Sequence, residues 1–304
     1  MEISCPSCNS NKHICIGEIP QMNTFAGNIL SAPLTQSNLL RCKGCNLYFK
    51  WPRFNKKQLD ELYQNGNPDN WQYELKNRKD WQIAINWINN EKIGGSILDV
   101  GCFDGKFLWS LEGNWNLYGV EINPVAARIA QERGIKIVTN NFSNLKSLHN
   151  KFDLITAFDV IEHTEDPLSF IASISQSIKN NGLIMVSSGN TETLTWKISG
   201  SRYLYCAIPE HISFINMKWC YYAADKLNLK IEHIERFSHA GKVSLAKKFI
   251  DIPKNLIYLV MPSLFAKYRK IKYHERDKSY AGKNYLYPPP WTSKNHLIAV
   301  FRKT

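Results

Sequence analysis

The sequence predicts an α/β protein with a doubly wound, mostly parallel seven-stranded sheet and a small, cysteine-rich N-terminal ribbon. From residue 94 onwards, short apolar runs alternate with helical patterns, which is typical of a parallel sheet covered by helices. Five of the eight cysteines lie within residues 1–53, where apolar periodicity is weak. The chain has 304 residues, 44% of them apolar and 21% charged, which is enough to bury a core and excludes disordered, collagen-like and coiled-coil proteins.

Four segments follow one another along the chain. They are a ribbon at 1–53, a helical linker at 54–93, an α/β domain at 94–240, and a basic C-terminal insertion with a closing strand at 241–304. Apolar spacing predicts helices at Lys56–Gln64, Tyr73–Asn90, Lys106–Leu111, Pro124–Glu132, Pro167–Lys179 and Met217–Leu227. Short apolar runs predict strands at Ser96–Val100, Leu117–Glu121, Ile135–Val138, Phe152–Phe158, Leu183–Ser188, Leu229–Arg236 and His296–Phe301.

The apolar segments of the sequence indicate where in the cell the protein is expected. The first residues show no basic stretch followed by an apolar one, so we expect no signal peptide. The longest apolar run, near Leu256–Ala266, is shorter than the roughly 20 residues that span a bilayer. We therefore expect a cytoplasmic protein, in which paired cysteines indicate a metal site before a disulfide.

Two C-x-x-C pairs, Cys5 with Cys8 and Cys42 with Cys45, are separated by 33 residues. Each pair can supply two thiolates from one tight turn, and Zn²⁺ prefers four in a tetrahedron. Four thiolates leave no open coordination position, so we expect a structural zinc ion in a ribbon around the hairpin Leu40–Phe49. The alternatives are unrelated free cysteines or a redox pair. The other cysteines are expected to be packing residues.

A glycine-containing loop joins the first strand of the α/β domain to its helix. Gly101 and Gly105 permit a tight turn there, and Asp99 and Asp104 surround it with negative charge. Acidic groups disfavour a phosphate cradle and suit a cationic ligand such as a sulfonium with its ammonium group. Glu121 lies 22 residues after Asp99, at the end of the next strand, where a carboxylate can bind a ribose diol.

These motifs resemble those of the class I S-adenosylmethionine-dependent methyltransferases. The first motif is LDVGCFDG at 98–105, and the resemblance continues with GVE at 119–121, FDLI at 152–155, DVIEH at 159–163 and NNGLI at 180–184. It covers about residues 94–237 and implies a Rossmann-like methyltransferase fold. Phe103 departs from the pattern because it occupies the position of the middle glycine. A cysteine-rich module before such a domain resembles bacterial methyltransferases of sugar, polysaccharide and natural-product pathways.

The resemblance implies S-adenosylmethionine as the cofactor and assigns residues to its parts. Asp99, framed by Gly101 and Gly105, would hold the amino group, and Glu121 would bind the ribose hydroxyls. Asp159 would lie near the methionine portion. The adenine would contact Asn141 and Phe142.

Two histidines are candidates for the chemistry. A base is needed only if the acceptor must lose a proton. His163 follows the fourth strand of the domain, and its usual pKa suits proton transfer, although it could equally brace the turn that follows. His211 lies in the long segment Gly189–Ile215, which also carries aromatic residues suited to a sugar and which a simple lid would explain as well. The other histidines, His239 and His296 among them, are expected to have no functional role.

Positive charge is concentrated near the C-terminus. Residues 1–241 hold 24 Lys and Arg against 23 Asp and Glu, whereas residues 242–304 hold 14 against three. An apolar stretch at 256–265 lies beside a run of basic residues at 267–276, a combination that suits an anionic membrane surface. Peripheral membrane contact through 254–278 is therefore one interpretation of this segment. The alternative is a helical cap that covers the sheet edge and exposes a solvated basic face.

Together, the motifs predict methyl transfer to a small-molecule or glycan acceptor, with a nucleotide- or lipid-linked sugar as the favoured class. One alternative is an RNA methyltransferase, because zinc modules also precede such domains. Residues 1–53 carry only five Lys and Arg against two Asp and Glu, without a dense aromatic and basic surface, so nucleic acid is the less favoured partner. The second alternative, prompted by Phe103, is a non-catalytic adaptor with a degenerate cofactor fold.

Overall fold

The structure is a computed structural model, and it describes most of the chain. The described residues are 2–20, 24–25, 28–30, 34–65, 74–140, 145, 148–239, 244–273, 288 and 294–304.

The N-terminal part consists of short strands and two helices. Its strands are β1 (His13–Glu18), β2 (Thr24–Phe25), β3 (Asn28–Ile29), β4 (Asn38–Cys42) and β5 (Tyr48–Trp51). The helices α1 (Lys56–Gln64) and α2 (Lys79–Asn90) follow, and a 3₁₀ turn at Leu75–Asn77 precedes α2. Asn55 caps α1 because its side chain accepts a hydrogen bond from the backbone N–H of Gln58.

The remaining chain alternates strands and helices. Its first half contains β6 (Gly95–Val100), α3 (Lys106–Trp109), β7 (Trp115–Val120), α4 (Pro124–Glu132), β8 (Lys136–Thr139), β9 (Phe152–Phe158) and α5 (Pro167–Ser177). Its second half contains β10 (Ile178–Gly189), α6 (Leu194–Ser199), α7 (Leu204–Ala207), β11 (Ser213–Phe214), α8 (Met217–Leu227), β12 (Leu229–Phe237), α9 (Leu245–Val260), α10 (Pro262–Tyr273) and β13 (His296–Lys303).

Seven strands form the main sheet in the order β12-β13-β10-β9-β6-β7-β8. Neighbouring strands from β10 to β8 are parallel, and β13 runs antiparallel to both of its neighbours. The predicted α/β, mostly parallel seven-stranded sheet is therefore confirmed. The strand order runs outward in both directions from β6, so the carboxyl ends of β6 and β9 flank a switch point, where ligands bind in such sheets.

Helices cover both faces of this sheet, and the side chains of each strand alternate between two cores. In β6, Leu98 and Val100 join a core that contains Phe170 of α5, whereas Ile97 joins the opposite core with Phe107 of α3. Because successive side chains of a strand point to opposite faces, nearly continuous apolar runs are required in such buried strands.

The boundaries of several elements differ from the predicted ones. The helix expected at Pro167–Lys179 ends at Ser177, because Ile178 already pairs with Phe152 and is fully buried in the sheet. The register then shifts before Leu183, with Asn181 in the left-handed region. The helix expected to begin at 73 begins at Lys79, and residue 73 itself lies outside the described residues.

The N-terminal ribbon is joined to the main domain through a second sheet of four strands, in the order β1-β4-β5-β11. The segment expected to be a lid after β10 supplies β11, in which Ser213 and Phe214 pair with Phe49 and Tyr48. The indole N–H of Trp219 also donates to Ser7 Oγ, at 3.2 Å. The ribbon and the segment that carries His211 therefore form one packed unit.

Within the basic C-terminal segment, the described residues 244–273 fold as a pair of helices, α9 and α10, and residues 274–278 of the predicted membrane contact lie outside the described residues. Their buried side chains, Tyr258 and Phe265, join a core with Trp196 and Tyr203. The pair thus packs on the small sheet and the α6–α7 segment, where the sequence suggested a cap over the sheet edge. No described helix is long and apolar enough to cross a bilayer.

Candidate active site

The carboxyl end of β6 presents Asp99, one of the expected cofactor residues. Its side chain is 4% exposed, and its Oδ1 accepts a hydrogen bond of 2.7 Å from Thr156 Oγ1 of β9. Burial raises the pKa of Asp99 to about 7, because the charged form loses its hydration. A cation placed beside this carboxyl group would lower that pKa again and favour the carboxylate.

Glu121 follows β7 and is held by backbone groups. Its Oε2 accepts from the N–H of Phe103 at 2.9 Å, and its Oε1 accepts from the N–H of Asn123 at 2.7 Å. Phe103 has a φ of +48°, the left-handed conformation that the glycine of related loops adopts at less cost. The loop therefore keeps its hydrogen bond to Glu121 with phenylalanine at this position, and burial raises the pKa of Glu121.

Gly101 and Gly105 both have positive φ, at +76° and +77°. A Cβ atom at Gly101 would lie 2.6 Å from Cγ2 of Val160, and one at Gly105 would lie 2.0 Å from Cδ1 of Ile135. Glycine is therefore required at both positions. These two glycines allow the loop backbone to lie against β9 and α4. The adjacent carboxyl groups then face the same edge of the sheet.

Asp159, directly after β9, has a φ of +54°, which is uncommon for a residue with a side chain. Its Oδ2 lies 3.0 Å from the guanidinium of Arg78. Its Oδ1 is buried and has no hydrogen-bond partner among the described residues. A buried carboxylate oxygen without a partner is costly, and a donor from a ligand would satisfy it.

No sequence pattern indicated the charged network that lies behind Asp159. Asp80 is fully buried, binds Arg78 through two hydrogen bonds of 2.5 and 2.9 Å, and accepts from Ser187 Oγ at 2.9 Å. His239 and His296, expected to have no role, lie at the same edge, with ring centroids 4.6 Å apart. For His296 a signal existed: β13 is antiparallel, so its first residue lies where the parallel strands end.

The two candidate catalytic histidines lie together. The ring centroids of His163 and His211 are 4.9 Å apart, and the fully buried Glu162 is next to them. Glu162 accepts hydrogen bonds from Tyr205 Oη and from Ser188 Oγ, and burial raises its pKa to about 8. Burial and the nearby carboxyl group of Asp159 therefore both favour the protonated form of Glu162.

Backbone carbonyl groups orient both imidazole rings. Nδ1 of His163 lies 3.1 Å from the carbonyl oxygen of Glu210, and Nδ1 of His211 lies 3.1 Å from that of Tyr205. A carbonyl can only accept, so a proton on Nδ1 would satisfy each of these contacts and would leave the Nε2 lone pair free in the neutral ring. Burial lowers the pKa of His163 to about 4 and that of His211 well below its usual value. Nδ1 of His163 also lies 2.5 Å from Tyr63 Oη.

The residues expected to contact the adenine are Asn141 and Phe142. Both lie outside the described residues.

The sulfur atoms of the four paired cysteines lie close together, within 4.8 Å of one another. Sγ of Cys5 lies 3.5 Å from that of Cys45, and Sγ of Cys8 lies 3.4 Å from that of Cys42. These distances are too long for a disulfide bond of about 2.05 Å. They are close to the ~3.8 Å that separates sulfur atoms in a tetrahedron with Zn–S bonds of ~2.3 Å. The N–H of Gly44 donates to Sγ of Cys42 at 3.2 Å, which supports a thiolate there.

Three groups of side chains among the described residues bring metal-ligating atoms within 4.8 Å of one another. One is the set of four cysteines, the second is Asp159 with His239 and His296, and the third is Glu162 with His163 and His211. In the third group, tyrosine and serine hydroxyls already donate to both oxygens of Glu162. The cysteine group has the ligand number and type of a structural zinc site.

The chain is similar to known proteins of one family. A family model described as a methyltransferase domain matches residues 70–234. The chain is similar to the ubiquinone biosynthesis O-methyltransferase of Actinobacillus pleuropneumoniae, with 28% identity over 170 residues, covering 49% of this chain and 71% of the relative. It is similar to the enzyme of the same name from Yersinia pestis, with 31% identity over 142 residues, covering 42% of this chain and 58% of the relative.

The match to these relatives is partial. A further relative of the same name comes from Pasteurella multocida. The match spans 65% of that relative and 58% of the one from Yersinia pestis, which is less than two thirds of either. Among solved structures, a phosphoethanolamine N-methyltransferase 2 from Haemonchus contortus in complex with S-adenosyl-L-methionine superposes with a TM-score of 0.50 and 14% identity. The superposition covers 84% of this chain and 61% of that chain, and it shows the shared fold.

Proposed function

The chain belongs to the class I S-adenosylmethionine-dependent methyltransferases, and from this premise we propose that its acceptor is a small molecule methylated on a hydroxyl oxygen. The observation that carries the proposal is the set of carboxyl groups of Asp99, Glu121 and Asp159 at the ends of adjacent parallel strands, with His163 close enough to Asp159 for its pKa to respond to that charge. This arrangement combines a site for a cationic cofactor with groups that can accept a proton.

The residues of the site fit S-adenosylmethionine. The buried, unpartnered Oδ1 of Asp159 can accept from an ammonium group, and the raised pKa of Asp99 indicates a carboxyl group that a cation would stabilise as a carboxylate. Glu121 has both oxygens fixed by backbone N–H groups and retains lone pairs for a diol. When bound, the cofactor supplies a methyl group activated by its sulfonium.

The names of the relatives support oxygen as the acceptor atom, because they are O-methyltransferases of ubiquinone biosynthesis. They give no support to the nucleotide- or lipid-linked sugar favoured by the sequence. The loop that contains Phe103 retains its hydrogen bond to Glu121, so the departure from the glycine pattern gives no support to a non-catalytic adaptor.

In this proposal His163 accepts the acceptor's hydroxyl proton at Nε2. The role requires the tautomer with the proton on Nδ1, directed at the carbonyl oxygen of Glu210, because Nε2 is then the accepting atom. Because burial lowers its pKa to about 4, His163 is neutral at pH 7 and is a weaker base than a free histidine. His211 packs edge-to-face against it and holds the ring in place.

Replacing His163 with Gln should lower kcat by about 100-fold or more, because general-base catalysis contributes about 10²–10⁴-fold. The affinity for S-adenosylmethionine should not change. The measurement uses S-adenosylmethionine with a deuterated methyl group, an extract of the cells that produce the protein, and mass spectrometry of the separated small-molecule, RNA and protein fractions. We expect the label in the small-molecule fraction.

His149→Gln is the matched control, because this histidine is exposed. The control should methylate as fast as the parent. Equal rates for parent and His163→Gln would contradict the role of His163 as a base. Label in the RNA fraction alone would contradict the proposed acceptor class.

We propose further that Cys5, Cys8, Cys42 and Cys45 hold a structural Zn²⁺. Their sulfur atoms lie at nearly tetrahedral separations, and the ion would tie the N-terminal turn to the β4–β5 hairpin. The four positions would then be filled, so the ion would take no part in methyl transfer.

We also propose that the α9–α10 pair contacts an anionic membrane surface. Phe249 and Val260 are 77% and 76% exposed, and Leu256 between them is 54% exposed. They are spaced by seven and four residues, which places them on one face of α9. Apolar side chains beside basic ones are the pattern of an interfacial segment. The supporting observation is that helix packing buries Tyr258 and Phe265 and leaves these residues in solvent.

Replacing Phe249, Leu256 and Val260 together with serine should reduce binding to vesicles of phosphatidylcholine and phosphatidylserine by at least 10-fold. Sedimentation with the vesicles measures this loss. The matched control replaces Val125 and Tyr221, which are 54% and 57% exposed on other helices, and it should bind as the parent does. Binding of the parent should weaken with salt but persist in part, because apolar burial is not screened. Equal binding by the triple variant and the parent would contradict membrane contact.

A further inference from the structure

A cleft of about 150 Å³ lies between the N-terminal ribbon and the segment that carries His211. One wall contains Gln36, Ser37 and Lys50, and the other contains Pro209 and Ile212. Arg53 and Gln58 also line it. The cleft therefore carries two cationic side chains together with amide and hydroxyl groups.

Lys50 is a buried cation in this cleft. It is 5% exposed, and its Nζ donates to the carbonyl oxygen of Ile208 at 2.7 Å. No carboxylate oxygen of the described residues lies within 4.0 Å of Nζ. Burial lowers the pKa of Lys50 to about 8, an effect that exceeds the opposing influence of Cys206 and Glu210. A buried charge without a counter-ion is costly, so the presence of a lysine at this position needs an explanation.

Arg53 carries the second positive charge. Its Nη1 donates to the carbonyl oxygen of Glu165 at 2.5 Å, and it too forms no ion pair with the described residues. The carboxyl groups of Glu165 and Asp166 raise its pKa, but burial lowers it more. An arginine presents five N–H donors in a fixed geometry, so most of them remain for a ligand.

Both cations are bonded to the segments that carry the histidines. Lys50 Nζ and the N–H of His211 donate to the same carbonyl oxygen, that of Ile208, and Arg53 binds the carbonyl two residues after His163. A ligand that binds both Lys50 and Arg53 would therefore be connected, through these side chains and their hydrogen bonds, to the two segments that hold the imidazole rings.

We propose that this cleft binds the phosphate or pyrophosphate group of the methyl acceptor, with Lys50 and Arg53 as its charged partners. Lys50 is buried and Arg53 is half-buried, and neither forms an ion pair with a carboxylate of the described residues, so together they match a dianion better than a single carboxylate. Gln36, Ser37 and Gln58 add uncharged polar groups to the lining, and each of them also makes a hydrogen bond within the protein. This inference rests on the proposed function, since it names the chemical class of the acceptor whose hydroxyl group would lie near His163.

Isothermal titration calorimetry with inorganic pyrophosphate tests the cleft without the reaction. The parent should bind pyrophosphate, and Lys50→Met should bind at least 10-fold more weakly, because the variant keeps the length of the side chain and removes the charge. Lys218→Met, at an exposed position of α8, is the matched control and should bind like the parent. Without pyrophosphate, Lys50→Met should melt at the same temperature as the parent or higher, because an unpaired buried charge is removed.

Arg53→Gln provides a second test if Lys50→Met is unstable, and it should also bind at least 10-fold more weakly. Uridine diphosphate and geranyl diphosphate distinguish the two sources of the group, and tighter binding of either one than of pyrophosphate supports the proposal. No binding by the parent, or equal binding by both variants and the parent, would overturn it. A parallel titration with S-adenosylmethionine separates this failure from a failure of the proposed function, because the cofactor site lies at the ends of β6 and β7.

Discussion

Replacing Cys5 and Cys42 with serine should remove the metal from the N-terminal ribbon and unfold it. The double variant deletes one thiolate from each C-x-x-C pair, so neither pair can complete a tetrahedral site. Structural zinc contributes about 10–16 kcal/mol in zinc-finger peptides at pH 7, and a whole domain is stable by only about 5–15 kcal/mol. We therefore expect loss of about one zinc ion per chain and largely insoluble protein, measured by elemental analysis and thermal melting.

The damage should extend beyond the ribbon, because β5 pairs with β11 and Lys50 of β5 donates to the segment that holds His211. Cys15→Ser is the matched control, since Cys15 is exposed and lies outside the cluster of four. It should retain zinc and the melting temperature of the parent. A double variant that melts like the parent and still contains one zinc ion per chain would contradict the metal site.

Replacing Glu121 with Ala should weaken the binding of S-adenosylmethionine by about 10- to 150-fold, equivalent to about 1.5–3 kcal/mol. The substitution removes the carboxylate expected to bind the ribose diol and also leaves the N–H groups of Phe103 and Asn123 without their acceptor. Glu121→Gln keeps one carbonyl oxygen for these donors and should have a smaller effect. Isothermal titration calorimetry measures both.

Glu132→Ala is the matched control for this series, because Glu132 is exposed at the end of α4 and pairs only loosely with Arg128. Its affinity for S-adenosylmethionine should equal that of the parent. If Glu121→Ala also binds as tightly as the parent, the end of β7 is not the ribose site.

The main sheet and the cofactor edge could be predicted because their signals are local. Apolar runs of four to seven residues define most of the parallel strands, and the acidic residues and glycines of the first motif follow directly after one of them. Asp99 and Glu121 then have to meet, because parallel strands end at the same edge. The left-handed conformation of Phe103 was not predicted, although this residue occupies the position of the middle glycine in the family pattern.

The rest depends on contacts between distant segments, which no local pattern contains. Arg78 reaches Asp159 only because α2 packs on the sheet, and the two-residue strand β11 is defined by its pairing with β5, about 165 residues earlier. Burial also changed the expected chemistry of His163. Its pKa falls to about 4, whereas the sequence suggested an ordinary histidine, because a position on the chain does not reveal how much water a ring loses on folding.

We expect the carboxyl groups at the ends of β6, β7 and β9 to bind S-adenosylmethionine. Isothermal titration of the full chain with S-adenosylmethionine at neutral pH tests this expectation most directly. We expect about one site per chain with a Kd of roughly 1 μM to 1 mM, the range usual for enzyme substrates, and a higher melting temperature when the cofactor is present. Folded, zinc-containing protein that gives no binding heat and no thermal shift at millimolar S-adenosylmethionine would contradict this expectation.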